Sequence, residues 1–236
     1  MTDKFDAYRP NVGVTAVPLI LKDNKVQVLT YVRPDDAETF ASKIALPNGF
    51  MNITKHTTLE DAAMDALLEK TGAKVARLEQ FHVFSGDYID PTRRITLNVP
   101  FLAMHKINEI SFVDGDDAPS INHAQWMPIE EALSLTESDF AFNHYQVLSS
   151  AIEQIRKPGN EVRSAIDLLP EQFTIPELMD AYKSITGSDI NENRLRKKIR
   201  DTNFIIDSGE KRRIKGIRPA TLYVSNPKYV EPIVFN

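Results

Sequence analysis

Hydrophobic positions in the first half of the chain fall into short runs that are rich in β-branched and aromatic residues. Turn-forming residues separate the runs, and this pattern is typical of β-strands. The runs cover residues 12–21, 26–32, 81–84 and 95–104. The first half of the chain is therefore predicted to contain a β-sheet.

Two helices are predicted beside this sheet. The first covers residues 58–70, with a capping box of Thr57 and Glu60 at its start and Gly72 at its end. The second covers residues 143–156 and ends where a proline and a glycine break the helical pattern. The apolar face of the first helix is made of small side chains that suit close packing against a sheet; these are Ala62, Ala63, Ala66 and Leu67.

The Lys-Pro-Gly-Asn sequence at 157–160 is interpreted as a linker between two domains, 1–157 and 158–236. Three helices are predicted in the second domain, and two of them begin at capping residues. These residues are Thr174 with Glu177 for one helix and Asn191 for the other. This order of elements is typical of a winged helix-turn-helix. The helices cover residues 162–169, 175–185 and 192–202, and two strands follow at 204–206 and 221–224.

Composition narrows the class of protein. The chain of 236 residues has no cysteine, which excludes disulfides, thiolate metal sites and cysteine nucleophiles. Neither an apolar run long enough to span a bilayer nor a signal-peptide pattern is present, so we expect a cytoplasmic protein that does not engage a membrane.

Charge is distributed unevenly along the chain. The net charge is -5, yet residues 190–218 hold 10 Lys and Arg against 4 Asp and Glu. A concentrated basic segment on an acidic protein indicates a localised site for a polyanion. A solvated, charged helix would produce the same count.

The third helix of the second domain has one basic face and one apolar face. Arg194, Lys197 and Arg200 recur at three-residue spacing, and Leu195 and Ile199 lie on the other side. These features predict a recognition helix for the major groove, with Asn193, Arg194 and Lys197 nearest the bases. The predicted DNA-binding residues are Asn193, Arg194, Arg196, Lys197, Lys198, Arg200, Lys211, Arg212, Arg213, Lys215 and Arg218.

Residues 46–50 and 69–72, with the helix between them, partly resemble the signature of Nudix hydrolases. Of the family's metal-ligand positions only Glu69 is retained, and Lys70 stands where a glutamate is expected. We therefore expect no metal site and no catalytic residues. The acidic stripe of Asp61, Asp65 and Glu69 leaves open either a rearranged metal site or a solvated helix face.

A nucleotide pocket can be retained after the catalytic carboxylates are lost. We predict its residues from their charge and shape. Arginines suit phosphate or ribose, and a phenylalanine can stack on an adenine, although such residues also serve as surface ion-pair partners or core. The predicted ligand-binding residues are Arg33, Phe40, Asn48, Gly49, Phe50, Glu69, Arg93 and Arg94.

A closer resemblance covers nearly the whole chain. The chain resembles the Nudix-related transcriptional regulators of NAD metabolism, the NrtR family, and departs from them at Asn48 and by a two-residue insertion. The matching stretches are residues 46–50, 86–94 with its Asp-Pro-x-Arg-Arg, 140–144, 173–178, 194–199 and 218–220, together with Tyr182 and Tyr223.

This resemblance implies an α+β fold, in which an N-terminal Nudix-like α/β/α sandwich with a mixed sheet precedes a C-terminal winged helix-turn-helix. It also implies a homodimeric repressor of NAD biosynthesis or salvage genes that binds a palindromic operator in double-stranded DNA. ADP-ribose or a related nucleotide would be the effector, with no cofactor required. Two other hypotheses stay open: an active Nudix pyrophosphatase with a basic accessory domain, and an adaptor that binds RNA or an acidic partner.

Overall fold

The computed structural model describes residues 10–86, 89–90, 96–113, 124–213 and 219–234. The chain forms two compact units that do not follow a single cut in the sequence. The first unit contains Met1–Leu19, Gln27–Ala103 and Asn108–Ala151, and the second contains Ile20–Val26, Met104–Ile107 and Ile152–Asn236. The domain boundary after residue 157 stays a prediction.

A sheet of eight strands is the centre of the first unit, with the order β10-β2-β1-β8-β6. Three short strands extend it, since β3 pairs with β2, β4 with β1 and β7 with β8, while β5 and β9 form a separate pair. The strands are β1 Asn11–Lys22, β2 Lys25–Val32, β3 Ile44–Ala45, β4 Asn48–Phe50, β5 Ala73–Lys74, β6 Glu79–Gln80, β7 Phe84–Gly86, β8 Thr96–Met104, β9 Ser111–Phe112 and β10 Ala124–Pro128.

Helix α1, Leu59–Thr71, follows the sheet's short strand β4. Its predicted capping box was wrong by one residue: Thr58 and Asp61 form it, not Thr57 and Glu60. The Asp61 carboxylate accepts from the backbone N–H groups of both Thr57 and Thr58, which explains the choice. Small residues of α1 pack against β1 and β8, and the core there consists of Val14, Ala62, Ala63, Ala66, Leu78, Val99, Phe101 and Ala103.

Helices α2, Ile129–Ser134, and α3, His144–Arg156, complete the elements after the sheet. The α3 prediction is confirmed to within one residue, and α2 was not predicted. The predicted strand at residues 81–84 was wrong for residues 81–83, because pairing occurs before them, at β6, and after them, at β7, which begins at Phe84. No helix in the described part of the chain is long and apolar enough to cross a membrane.

The second unit contains the predicted order of three helices and two paired strands. These are α4 Glu161–Leu168, α5 Ile175–Thr186, α6 Glu192–Thr202, β11 Ile205–Arg212 and β12 Ala220–Ser225. The Thr174–Glu177 capping box of α5 and the Asn191 cap of α6 are confirmed. Backbone hydrogen bonds in both directions join Phe173 to Tyr223, so the segment before α5 is fixed to β12.

Gly159 lies where the predicted linker meets the C-terminal tail. Its φ of +93° favours glycine, and a Cβ there would lie 2.8 Å from Pro232. The N–H of Ile233 donates to the Gly159 carbonyl, and Arg163 donates to the carbonyl of Tyr229. The tail is therefore part of the second unit's packing.

Candidate ligand pocket and nucleic-acid interface

A cavity of about 240 Å³ opens in the first unit between β4, α1 and the segment after β2. It brings together five of the eight predicted ligand-binding residues from three separate parts of the sequence. Its lining is Arg33, Glu38, Thr39, Asn48, Gly49, Phe50, Glu69, Lys70 and Phe142. Arg93 and Arg94 lie outside the described residues.

Arg33 is held firmly in the cavity wall. Its Nε donates to the carbonyl oxygen of Thr39 at 3.1 Å, and its guanidinium carbon lies 5.0 Å from the centre of the Phe142 ring. Phe40 packs on the same ring, with 4.8 Å between the ring centres. Predicted as a ligand contact, Phe40 thus lies behind Phe142 rather than in the lining.

Both phenylalanines adopt a backbone conformation that bulky residues rarely use. The φ angles are 51° at Phe40 and 53° at Phe142. Such strain costs about 1–3 kcal/mol per residue and persists where the surrounding structure imposes it, commonly at binding sites. The strain supports a functional interpretation of the cavity. Phe142 belongs to a stretch that matches the family but was not among the predicted ligand-binding residues.

His144 fixes the backbone that leads into the cavity. It is fully buried, and its Nδ1 accepts a hydrogen bond from the Leu46 N–H at 3.1 Å. Burial, followed by the charge of Arg33, lowers the pKa of His144 from 6.5 to about 3. The imidazole is therefore neutral at physiological pH and remains an acceptor.

A smaller recess of about 20 Å³ adjoins the cavity and shares Asn48 with it. A buried chain of hydrogen bonds lies there, from Thr15 Oγ1 to Asn98 Oδ1 and from Asn98 Nδ2 to Asn143 Oδ1. The Thr96 hydroxyl and the Asn143 amide nitrogen are buried without a partner among the described residues. Space for one water molecule is enough to serve such groups.

The divalent cation that a Nudix fold implies does not fit the residues of α1. Ala66 occupies a position where the family's signature carries a glutamate, and it is buried against Gly49. Lys70, at another such position, places an ammonium group in the cavity lining. Glu69 Oε1 lies 3.2 Å from Lys55 Nζ, so the one retained carboxylate already faces a cation.

The other two carboxylates of the acidic stripe also have partners within the chain. Asp65 contacts Lys55 at 2.5 Å and His56 at 3.0 Å, and hydrogen bonds from these two side chains lower the pKa of its carboxyl. Asp61 serves the helix cap. Within the described ranges, no group of three or more histidine and carboxylate side chains is placed to hold a metal. The contacts favour a structural role for the stripe over a rearranged metal site.

The predicted recognition helix α6 presents a basic surface. Leu195 is buried and fixes the helix to its unit, while Arg196 pairs with Glu192 one turn earlier at 2.8 Å. Lys198 is partly buried. The exposed DNA-binding candidates on this helix are Asn193, Arg194, Arg196, Lys197 and Arg200.

The paired strands β11 and β12 form the wing. Lys211 in β11, and Arg213 directly after it, are exposed cations. Arg212 is instead partly buried, pairs with Glu177 and donates to the carbonyl oxygen of Gln172 at 3.3 Å. This contact links the wing to the start of α5. Lys215 and Arg218 lie outside the described residues.

Comparison with known proteins decides between the open interpretations of the second domain. Residues 165–224 match the family model described as the NrtR DNA-binding winged helix domain. The resemblance to the NrtR regulators is confirmed. The matched range runs from α4 to β12 and includes α6, the helix whose basic face predicted a role in recognition.

Similar proteins of known name cover most of the chain. An ADPR-responsive transcriptional repressor of Acinetobacter baylyi is 28% identical over 220 residues, which are 93% of this chain and 84% of that protein. The crystal structure of Shewanella oneidensis NrtR with a 27mer DNA is 26% identical, with a TM-score of 0.71 over 92% of this chain and 94% of that one.

The Nudix part has its own structural match. The NUDIX domain of Shewanella oneidensis NrtR, solved with ADP ribose, aligns with 65% of this chain and 94% of its own, at a TM-score of 0.54 and 22% identity. This comparison shows the fold. The predicted combination of a Nudix-like domain and a winged helix-turn-helix is thereby confirmed.

Proposed function

We propose that this chain is a DNA-binding transcriptional repressor of NAD biosynthesis or salvage genes that responds to ADP-ribose. The observation that carries the proposal is the NrtR-type winged helix at residues 165–224, whose α6 presents an exposed cationic surface. A relative of similar length is named as an ADPR-responsive repressor, and another was crystallised with DNA.

The DNA contact is proposed to divide between base edges and phosphates. Asn193, Arg194 and Lys197 lie in the N-terminal half of α6, which enters the major groove in helix-turn-helix proteins. Lys211 and Arg213 are exposed on the wing, and we propose that they contact phosphates. Lys215 and Arg218 stay predictions of the same kind.

The nucleotide is proposed to occupy the cavity of about 240 Å³ in the first unit. A guanidinium suits phosphate because its donors match the spacing of two oxygens, and an aromatic ring suits a base. Arg33 and Phe142 supply these groups side by side. Asn48, Gly49 and Phe50 complete the wall from β4.

The ligand is proposed to be bound without turnover. Pyrophosphate hydrolysis requires a metal to offset phosphate charge and to activate water. Ala66 and Lys70 replace carboxylates that would hold it. The alternative, an active pyrophosphatase, would require Glu69 to act without those partners.

Regulation requires that the effector distinguish two states of the repressor. A nucleotide with equal affinity for the DNA-bound and free arrangements would not alter operator occupancy, however tightly it bound. We propose that the protein acts in the cytoplasm as a homodimer that binds a palindromic operator. The operator is palindromic because a protein with two-fold symmetry binds two half-sites.

Selection of bound duplexes from random DNA, with and without ADP-ribose, tests both parts of this proposal. We expect an enriched palindrome and an affinity that changes with the nucleotide. A parallel incubation of ADP-ribose with magnesium, analysed by chromatography, should yield no AMP. Failure to enrich any duplex at low salt, or brisk release of AMP, would reject the proposed function.

A further inference from the structure

The lining of the cavity is unusual for a Nudix fold because a lysine, Lys70, occupies one of the positions of the metal-binding carboxylates. We propose that Lys70 and Arg33 hold the pyrophosphate directly and take the place of a divalent cation. This inference rests on the proposed function, since it concerns how the same pocket holds its nucleotide. It assigns Lys70 as a ligand-binding residue.

Lys70 is well placed for this role. It lies one turn after Ala66 on α1 and is partly buried in the cavity lining, in the last turn before Gly72 ends the helix. In the described part of the chain, no carboxylate forms an ion pair with its ammonium group. An ammonium group at this position therefore favours the binding of an anionic ligand.

Lys55 explains why the neighbouring glutamate does not cancel this charge. Its ammonium group contacts both Asp65 and Glu69, at 2.5 and 3.2 Å. These hydrogen bonds raise the pKa of Lys55, so it stays charged while both carboxylates are ionised. Glu69 therefore has a cationic partner, shared with Asp65, that is not part of the cavity lining.

Magnesium is often held by only one or two carboxylates together with phosphate oxygens. Glu38 and Glu69 provide two carboxylates in the lining. However, Glu69 already faces Lys55, and the Lys70 ammonium in the same lining would repel a divalent cation. The side chains of the cavity lining therefore favour binding of the anionic pyrophosphate over binding of a divalent metal ion.

Arg33 provides the second cation in a fixed orientation. Its hydrogen bond to Thr39 and its contact with the Phe142 ring restrict the guanidinium before any ligand arrives. A group that is already ordered loses less conformational entropy on binding. Each phosphate of ADP-ribose carries one negative charge, so Arg33 and Lys70 provide one cation for each phosphate.

Calorimetry on the full chain with ADP-ribose, in EDTA and in magnesium chloride, tests the inference. The dissociation constants should agree within about threefold, since no metal bridges protein and ligand. Binding that weakens tenfold or more in EDTA would overturn the inference and leave the proposed function intact. No binding in either buffer would instead reject the sensor function itself.

Variants at Lys70 test the residue. Lys70→Gln should weaken ADP-ribose binding about tenfold or more, because a charge-assisted hydrogen bond is lost, while Lys70→Arg should keep most of it. Lys74→Gln, an exposed lysine on β5, is the matched control and should bind as the parent does. Unchanged binding by Lys70→Gln would overturn the assignment.

Adenosine, which lacks the pyrophosphate, separates a direct contact from a general disturbance of the pocket. Any affinity for adenosine should be the same in the parent protein and in Lys70→Gln. An equal loss for adenosine and ADP-ribose would mean that Lys70 shapes the pocket without contacting phosphate, and the assignment would be wrong.

Discussion

A Cβ atom built on Gly49 would lie 3.1 Å from the Cβ atom of Ala66. Strand β4 and helix α1 therefore approach each other at the site where a Nudix hydrolase carries a metal-binding glutamate. The absence of a side chain on Gly49 and the small side chain of Ala66 permit this approach. Position 66 thus packs the pocket wall and lacks the carboxylate of a metal site.

Enlarging residue 66 should destabilise the first unit. Ala66→Leu adds volume to a packed contact, and overpacking of this kind costs about 1–3 kcal/mol. Chemical unfolding of the full chain measures the change in the free energy of unfolding. Ala66→Ser, which adds one atom, should cost less; equal stability of the leucine variant and the parent would show that the contact can yield.

Acid should destabilise the protein through His144. Its pKa of about 3 in the folded state is below the ordinary 6.5, so the unfolded chain binds a proton that the folded chain does not. This contribution is complete above pH 6.5 and declines by about 1.4 kcal/mol per pH unit as the pH falls towards 3. Unfolding curves between pH 7.5 and 5 measure the slope.

His144→Gln should be less stable than the parent at pH 7.5 and should show a flatter slope down to pH 5, because an amide does not titrate. His82→Gln alters an exposed histidine and should keep the parent's slope. The carboxyls with lowered pKa values, such as Asp65, act only at lower pH, as the pH falls through their ordinary range. A parent slope retained in His144→Gln would contradict the assignment.

Arg212 and Lys211 are neighbours with opposite roles. Arg212→Ala should lower the free energy of unfolding by about 1 kcal/mol, since it removes the partly exposed contact with Glu177. Its DNA affinity should keep the parent's dependence on salt. Lys211→Ala should retain stability and reduce the log-log salt slope by about 1. A reduced slope in Arg212→Ala would instead place that guanidinium on a phosphate.

Two positions on α6 should separate sequence reading from general attraction. Asn193→Ala should weaken binding to the selected operator by about 1–3 kcal/mol and have a smaller effect on unrelated duplexes. Arg200→Ala, near the end of the helix, should weaken both alike. Fluorescence anisotropy with the two DNAs measures the difference. If Asn193→Ala lost equal affinity for both DNAs, Asn193 would not take part in base recognition.

Local signals explain most of what could be predicted. Helices α5 and α6 carry their caps in sequence, and α6 was predicted at its observed bounds. The start of α1 was ambiguous because Thr57 with Glu60 and Thr58 with Asp61 fit the same spacing. Short strands such as β3 and β5 were not predicted, since two residues carry no periodicity and pair only in the folded sheet.

The pocket was predictable only in part. Residues 48–50 and Glu69 belong to one signature, so their grouping follows from sequence. Phe142 reaches the cavity from a loop far along the chain, and its positive φ has no sequence signal. The contact of Arg212 with Glu177 spans 35 residues and likewise depends on tertiary structure. Charge alone could not distinguish that arginine from its exposed neighbours.

The uncharged imidazole of His144, which accepts a hydrogen bond from the Leu46 N–H, has a further consequence for a protein that senses a metabolite. Its charge state does not change during ordinary acid or alkaline stress inside a cell. The hydrogen bond from the Leu46 N–H to the imidazole therefore persists across that range. The backbone support of the pocket is in this respect insulated from swings in intracellular acidity.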